Sequence, residues 1–173
     1  MVLVHPPSEI CATSTRQPAI ASRRTALGLS PDYGGAQYLI GVALLLKGDP
    51  AGALAAMQSE SSEPWRLIGL PMAWHALGKQ VESDAALTDL LRKDEKSWAY
   101  NIAYVMAFRG EADRAFEWLD KAVAYHDTGL TEIAVDPLFA NIKEDPRWLP
   151  FLRKLGRAPE QLAAIRFDVK LPQ

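Results

Sequence analysis

Apolar residues recur through the middle of this chain at offsets of about four and eight, and the whole pattern occurs three times. Ile40 and Leu44 stand eight and four residues before Gly48, as Leu70 and Trp74 do before Gly78, and Ile102 and Met106 before Gly110. Five residues after each glycine comes a small side chain (Ala53, Ser83, Ala115), and nine after comes a large apolar one (Met57, Leu87, Leu119). Such offsets lie on one face of a helix, so each glycine separates two helices. Glycine ends the first helix by taking positive φ without a Cβ penalty, and the small residue lets the second helix approach closely. With the glycines 30 and 32 residues apart, the pattern predicts three helix–turn–helix repeats over 34–127. The expected helices are 17–29, 35–47, 50–60, 64–77, 80–93, 96–109 and 112–125, and no strand pattern competes. Asp49-Pro50 supplies a capping residue and an N1 proline for one of them.

The flanks read differently. Residues 1–16, with Pro6, Pro7, Ser8, Thr13, Ser14 and Thr15, show no period and are expected as coil. Residues 17–33 carry Ala19, Ala26 and Pro31, which fit the second helix and closing proline of a preceding half-repeat. That helix lacks a partner. Its open face predicts a homodimer through the half-repeat, a cover supplied by residues 1–16, or a place at the end of a longer array. After Tyr125 the repeat stops. Asp136-Pro137 and Asp145-Pro146 each suit the start of a short helix, and Gly156 suits a C-cap. Residues 128–157 are therefore expected to cap the array, with Leu138, Phe139, Trp148, Phe151 and Leu152 covering the last repeat. Residues 158–173 are expected as a tail with a short helix at its start.

The repeated residues resemble the tetratricopeptide repeat. Ile40-Gly41, Ala53 and Met57 fall at that family's signature positions in the first repeat, and Leu70, Trp74 and Leu87 do so in the second. Ile102-Ala103, Ala115, Leu119 and Ala122 do so in the third. Residues 128–157 resemble segments that close repeat arrays in bacterial regulatory proteins. The resemblance implies an all-α fold: tetratricopeptide-like helix-turn-helix repeats in a short right-handed solenoid with a capping C-terminal helical segment. It also implies a concave groove lined by the first helix of each repeat. Along that groove it places Tyr38 and Val42, then Ile68, Met72 and His75, then Tyr100, Asn101, Tyr104 and Phe108, with Trp65 at the rim. Tyr38 and Val42 occupy the positions of the lysine and asparagine that clamp a terminal carboxylate in chaperone-binding members, so an apolar, aromatic-lined groove is expected instead. There are departures. Pro71 replaces a small residue and should kink its helix, Glu60 and Leu90 stand where alanine is usual, and the second and third repeats lack a closing proline.

Composition narrows the function. Hydrophobic residues make up 49%, charged residues 23%, and the formal net charge is −2, without the basic excess of a nucleic-acid binder. The longest apolar run, from Leu39 to Leu46, falls short of the roughly 18 residues of a membrane span. Cys11 is the only cysteine, which excludes an internal disulfide, and the start shows no signal-peptide pattern. A cytoplasmic protein is expected. His5, His75 and His126 lack the i, i+4 pairing of a helical metal site, and Asp94-Glu95, Glu111 with Asp113, and Glu144-Asp145 sit at predicted helix starts or turns, where they complement the dipole. No catalytic residue, cofactor or metal is expected. The function expected is a non-catalytic protein–protein interaction scaffold whose partner is a protein or peptide, with no nucleic acid and no membrane. The alternatives are a regulatory or oligomerisation fragment of a larger bacterial signalling protein, and a small helical ligand-binding protein or enzyme with a closed polar pocket.

Overall fold

The computed structural model describes residues 34–93 and 96–166. The coil at 1–16, the half-repeat helix at 17–33 with the homodimer it would mediate, and the tail beyond 166 lie outside the described residues. The chain divides into two compact units, the first ending at Lys93 and the second beginning at Asp94. Among the described residues both are helical and no strand occurs. The first unit holds α1 (Ala36–Leu46), α2 (Pro50–Gln58), α3 (Glu63–Ala76) and α4 (Gln80–Leu91). Here α1 packs on α2, α3 packs on α4, and α3 also meets both α1 and α2. The second unit holds α5 (Ala99–Phe108), α6 (Ala112–Ala124), two 3-10 segments (Thr128–Thr131 and Pro137–Ile142), α7 (Trp148–Lys154) and α8 (Pro159–Ala163). In it α5 packs on α6 and on both 3-10 segments.

The three glycine turns are built alike. Gly48, Gly78 and Gly110 have φ of 80°, 71° and 78°. Each glycine N–H donates to the carbonyl three residues back, at 2.9, 2.8 and 3.0 Å. The next N–H, of Asp49, Lys79 or Glu111, reaches back to Leu44, Trp74 or Met106 at 2.9, 3.0 and 2.9 Å. This pair of bonds satisfies carbonyls that the end of a helix would otherwise leave open. The same residue then starts the second helix, its carbonyl accepting from the N–H of Ala53, Ser83 or Ala115. One residue thus closes one helix and opens the next. His126 closes α6 in the same way at a non-glycine φ of 56°: its N–H donates to Val123 and the N–H of Asp127 donates to Ala122.

Where the paired helices cross, bulk is excluded. Ala53, Ser83 and Ala115 are all fully buried. In the first pair a Cβ at Gly41 would lie 2.7 Å from Met57 Cγ and 3.2 Å from the Ala53 carbonyl, so only glycine fits there. Gly69 on α3 leaves room for the other side of Met57, whose Cγ and Sδ would be 2.8 Å from an added Cβ. Met57 is therefore wedged between α1 and α3. In the second pair Pro71 takes the crossing position. Helix α3 is unbroken from Glu63 to Ala76 despite it. Proline forfeits one backbone bond, but its carbonyl gains a second donor, the buried Ser83 hydroxyl at 2.7 Å.

Glu60 explains another departure. It is only 2% exposed. One carboxylate oxygen accepts from the N–H groups of Gly35 (3.1 Å) and Ser62 (2.9 Å), the other from Tyr38 (3.1 Å). Gly35 and Ser62 are the N-cap residues of α1 and α3, and neither offers a side-chain cap of its own. One carboxylate thus closes two helix starts, where orphan N–H groups and the helix dipole both favour negative charge. Burial by itself would raise the Glu60 pKa, but the backbone donors of Ser62, Gly35, Tyr38 and Gln37 outweigh it and hold the pKa below its ordinary value.

The capping segment has its own period. Asp127, Asp136 and Asp145 stand nine residues apart, and each carboxylate accepts from the N–H two residues on, at 2.9 Å in all three. Apolar residues follow three and six positions later: Leu130 and Ile133, Phe139 and Ile142, Trp148 and Phe151. All of these except the half-buried Leu130 are buried. The expected start at Asp136 is present, as the cap of the 3-10 segment from Pro137. At Asp145-Pro146 only a turn forms, and α7 begins later, at Trp148 with Arg147 as its N-cap. The turn at Asp127 belongs to the same series. Phe139 sits at the centre, its ring 5.5 Å from Tyr100 and 5.5 Å from Trp148.

Two substitutions test this packing. Ala115→Leu should overpack the α5–α6 crossing and cost about 1–3 kcal/mol, seen as a lower Tm; an unchanged Tm would contradict the close approach. Glu60→Gln keeps the shape but removes the charge, at a cost of about 1–3 kcal/mol near neutral pH. Because the folded pKa lies below the unfolded value near 4.5, this contribution is complete above that value and fades as pH falls through the folded pKa. The stability curves of the wild type and Glu60→Gln should therefore converge in acid. Parallel curves would show that the carboxylate does not cap the two helices.

Candidate functional site

The ten residues expected to line a groove fall in both compact units. In the first, Tyr38, Ile68 and Met72 are core residues at 4%, 0% and 0% exposure. Val42, Trp65 and His75 remain half-buried. Trp65 stacks on Tyr38 with ring centroids 5.0 Å apart and planes 27° apart, and its indole lies against Gly35. The Tyr38 ring is thus used as a floor for Trp65, and its backbone is held by Glu60. Sequence spacing placed these residues on neighbouring helices. It did not separate those facing inward from those at the surface, because both sets recur at helical offsets.

In the second unit Tyr100 and Tyr104 are 5% and 3% exposed, and the cause is the chain's own capping segment. Phe139 approaches both rings, at 5.5 and 6.4 Å, and the two tyrosines meet edge to face at 5.7 Å. Tyr100 is fastened twice. Its N–H donates to the Asp127 carboxylate and its hydroxyl to the Asp136 carboxylate, both at 2.9 Å. Burial, reinforced by the Asp136 charge, pushes the Tyr100 phenol well above its ordinary pKa and keeps it a donor. Asn101, expected to offer an amide to a partner, spends that amide on the Tyr104 hydroxyl at 2.6 Å. Phe108 is half-buried, and its carbonyl accepts from Asn141 at 2.7 Å. Tyr38, Ile68, Met72, Tyr100 and Tyr104, expected along the groove, are thus buried as core residues. For the last two the reason is specific: Phe139 occupies the face of α5 that a ligand would need. Opening it would expose Ile133, Phe139 and Ile142, each worth about 1.5–3 kcal/mol of apolar burial.

Two surface grooves lie outside the expected set. One, of about 470 Å³, runs between α1 and α2, with Ile40 and Leu44 facing Gly52, Ala55 and Ala56. The other, of about 430 Å³, has Phe116 and Phe151 as its floor, Pro146 and Pro150 beside them, and Arg147 and Lys154 at its edges. The Arg147 guanidinium lies 4.4 Å over the Phe116 ring. It is forked onto Asp145 at 2.9 and 2.7 Å and also meets Asp113 at 2.8 Å. This fork lowers the Asp145 carboxyl to about 2. Lys154 pairs with Asp120 at 3.3 Å. The i, i+4 spacing of Phe116 and Asp120 was visible in the sequence, but nothing local showed that residues 146–154 return beside them.

Among the described residues no cluster of three or more histidine, cysteine, aspartate or glutamate side chains could hold a metal ion, and no helix is long and apolar enough to cross a membrane. The acidic groups with lowered pKa values, Glu60, Asp145 and Glu160, owe them to backbone caps or to the arginines Arg147 and Arg153. No family model, curated protein or solved structure matches this chain.

The burial of Tyr104 leads to a direct expectation. Tyr104→Ala should lower stability by about 3–5 kcal/mol, as for a large core aromatic, whereas Asp120→Ala on the exposed side of α6 should stay within about 0.5 kcal/mol. Denaturant unfolding of the two variants would decide; equal midpoints would return Tyr104 to the surface.

Proposed function

We propose that this chain is a tetratricopeptide-like scaffold that binds a segment of another protein and performs no catalysis of its own. The observation that carries this reading is the threefold repetition of one turn and one crossing, at Gly48, Gly78 and Gly110 with Ala53, Ser83 and Ala115. Helix pairs repeated in this way build stacked arrays whose faces serve recognition rather than chemistry. The packing of α3 against both α1 and α2 supports stacking of the first two pairs as a short solenoid. A cytoplasmic location and a peptide partner accompany this reading.

The binding surface proposed is smaller than the sequence suggested. With α5 covered by Phe139, the partner segment lies on the first unit, at Val42, Trp65 and His75. Trp65 is the natural anchor: it is half-buried, stacked on Tyr38, and large enough to bury considerable apolar area at small entropic cost. Affinity then comes from apolar burial, at about 25 cal/mol per Å², and varies little with salt.

The test is calorimetry on a partner recovered by affinity capture, using the wild type, Val42→Ala, Trp65→Ala and Asp120→Ala, with each variant's Tm recorded. Trp65→Ala should weaken binding about 10- to 100-fold and Val42→Ala by less, while Asp120→Ala leaves it unchanged. Equal affinities in four folded proteins would remove the surface proposed here, and a steep loss of affinity with salt would place binding on a charged face instead.

A further inference from the structure

We draw no further inference here: the strongest candidate, the groove of the second compact unit floored by Phe116 and Phe151 and edged by Arg147 and Lys154, carries nothing because both cations are already paired with Asp113, Asp145 and Asp120 and nothing in the structure shows what covers its apolar floor.

Discussion

Two helices joined by a three-residue turn must cross close to that turn, and the distance between them is set by the side chains at the crossing. The positions seven residues before and five after each glycine are Gly41 and Ala53, Pro71 and Ser83, and Ala103 and Ala115. Direct contacts place the crossing there in the first two pairs, and the repeat spacing assigns it to the third. The first pair admits no Cβ on Gly41, the second is tied by a hydroxyl to a proline carbonyl, and in the third both alanines are fully buried. Protein interiors are packed densely enough that one extra methylene at such a point is felt. Everything outward from the crossing, including Met57 between α1 and α3 and Leu119 in the second unit, depends on that separation.

Several turn and helix starts are satisfied by carboxylates. Glu60 serves α1 and α3 together, Asp49 caps α2 through Gly52, and Asp127, Asp136 and Asp145 mark the nine-residue turns of the capping segment. Asp127 and Asp136 do a second thing, since each also receives a donor from Tyr100. The carboxylates that cap the segment's first turns therefore also fasten it to α5, alongside Asn141 at the Phe108 carbonyl. A cap at a helix start is worth about 1 kcal/mol, so three or four of them are a substantial part of the stability of a domain this size.

Much of the helical layout was legible in the sequence, because glycine turns and helical offsets are local properties. The six helices from Ala36 to Ala124 begin and end within a few residues of their expected limits, the widest gap being at the start of α5. What was not legible depends on distant residues. Glu60 looked like a lapse from an alanine position until its carboxylate met N–H groups more than twenty residues away. Tyr100 and Tyr104 looked like groove residues because nothing near them in sequence reveals that Phe139 lies across them. Asp136-Pro137 and Asp145-Pro146 were recognised singly. Their nine-residue spacing from each other and from Asp127 was also there to be read.

The proposed scaffold function rests on the repeated crossing more than on any single surface residue, since stacked pairs require each crossing to be equally tight. Nuclear Overhauser spectroscopy on the isotope-labelled chain tests this most directly. Short proton–proton contacts should appear between Gly41 and Ala53, between Pro71 and Ser83, and between Ala103 and Ala115. Cross-peaks in all three pairs would establish three copies of one helix–turn–helix geometry. A helical protein lacking the contact in any one pair would contradict the repeat on which the fold and the proposed function both stand.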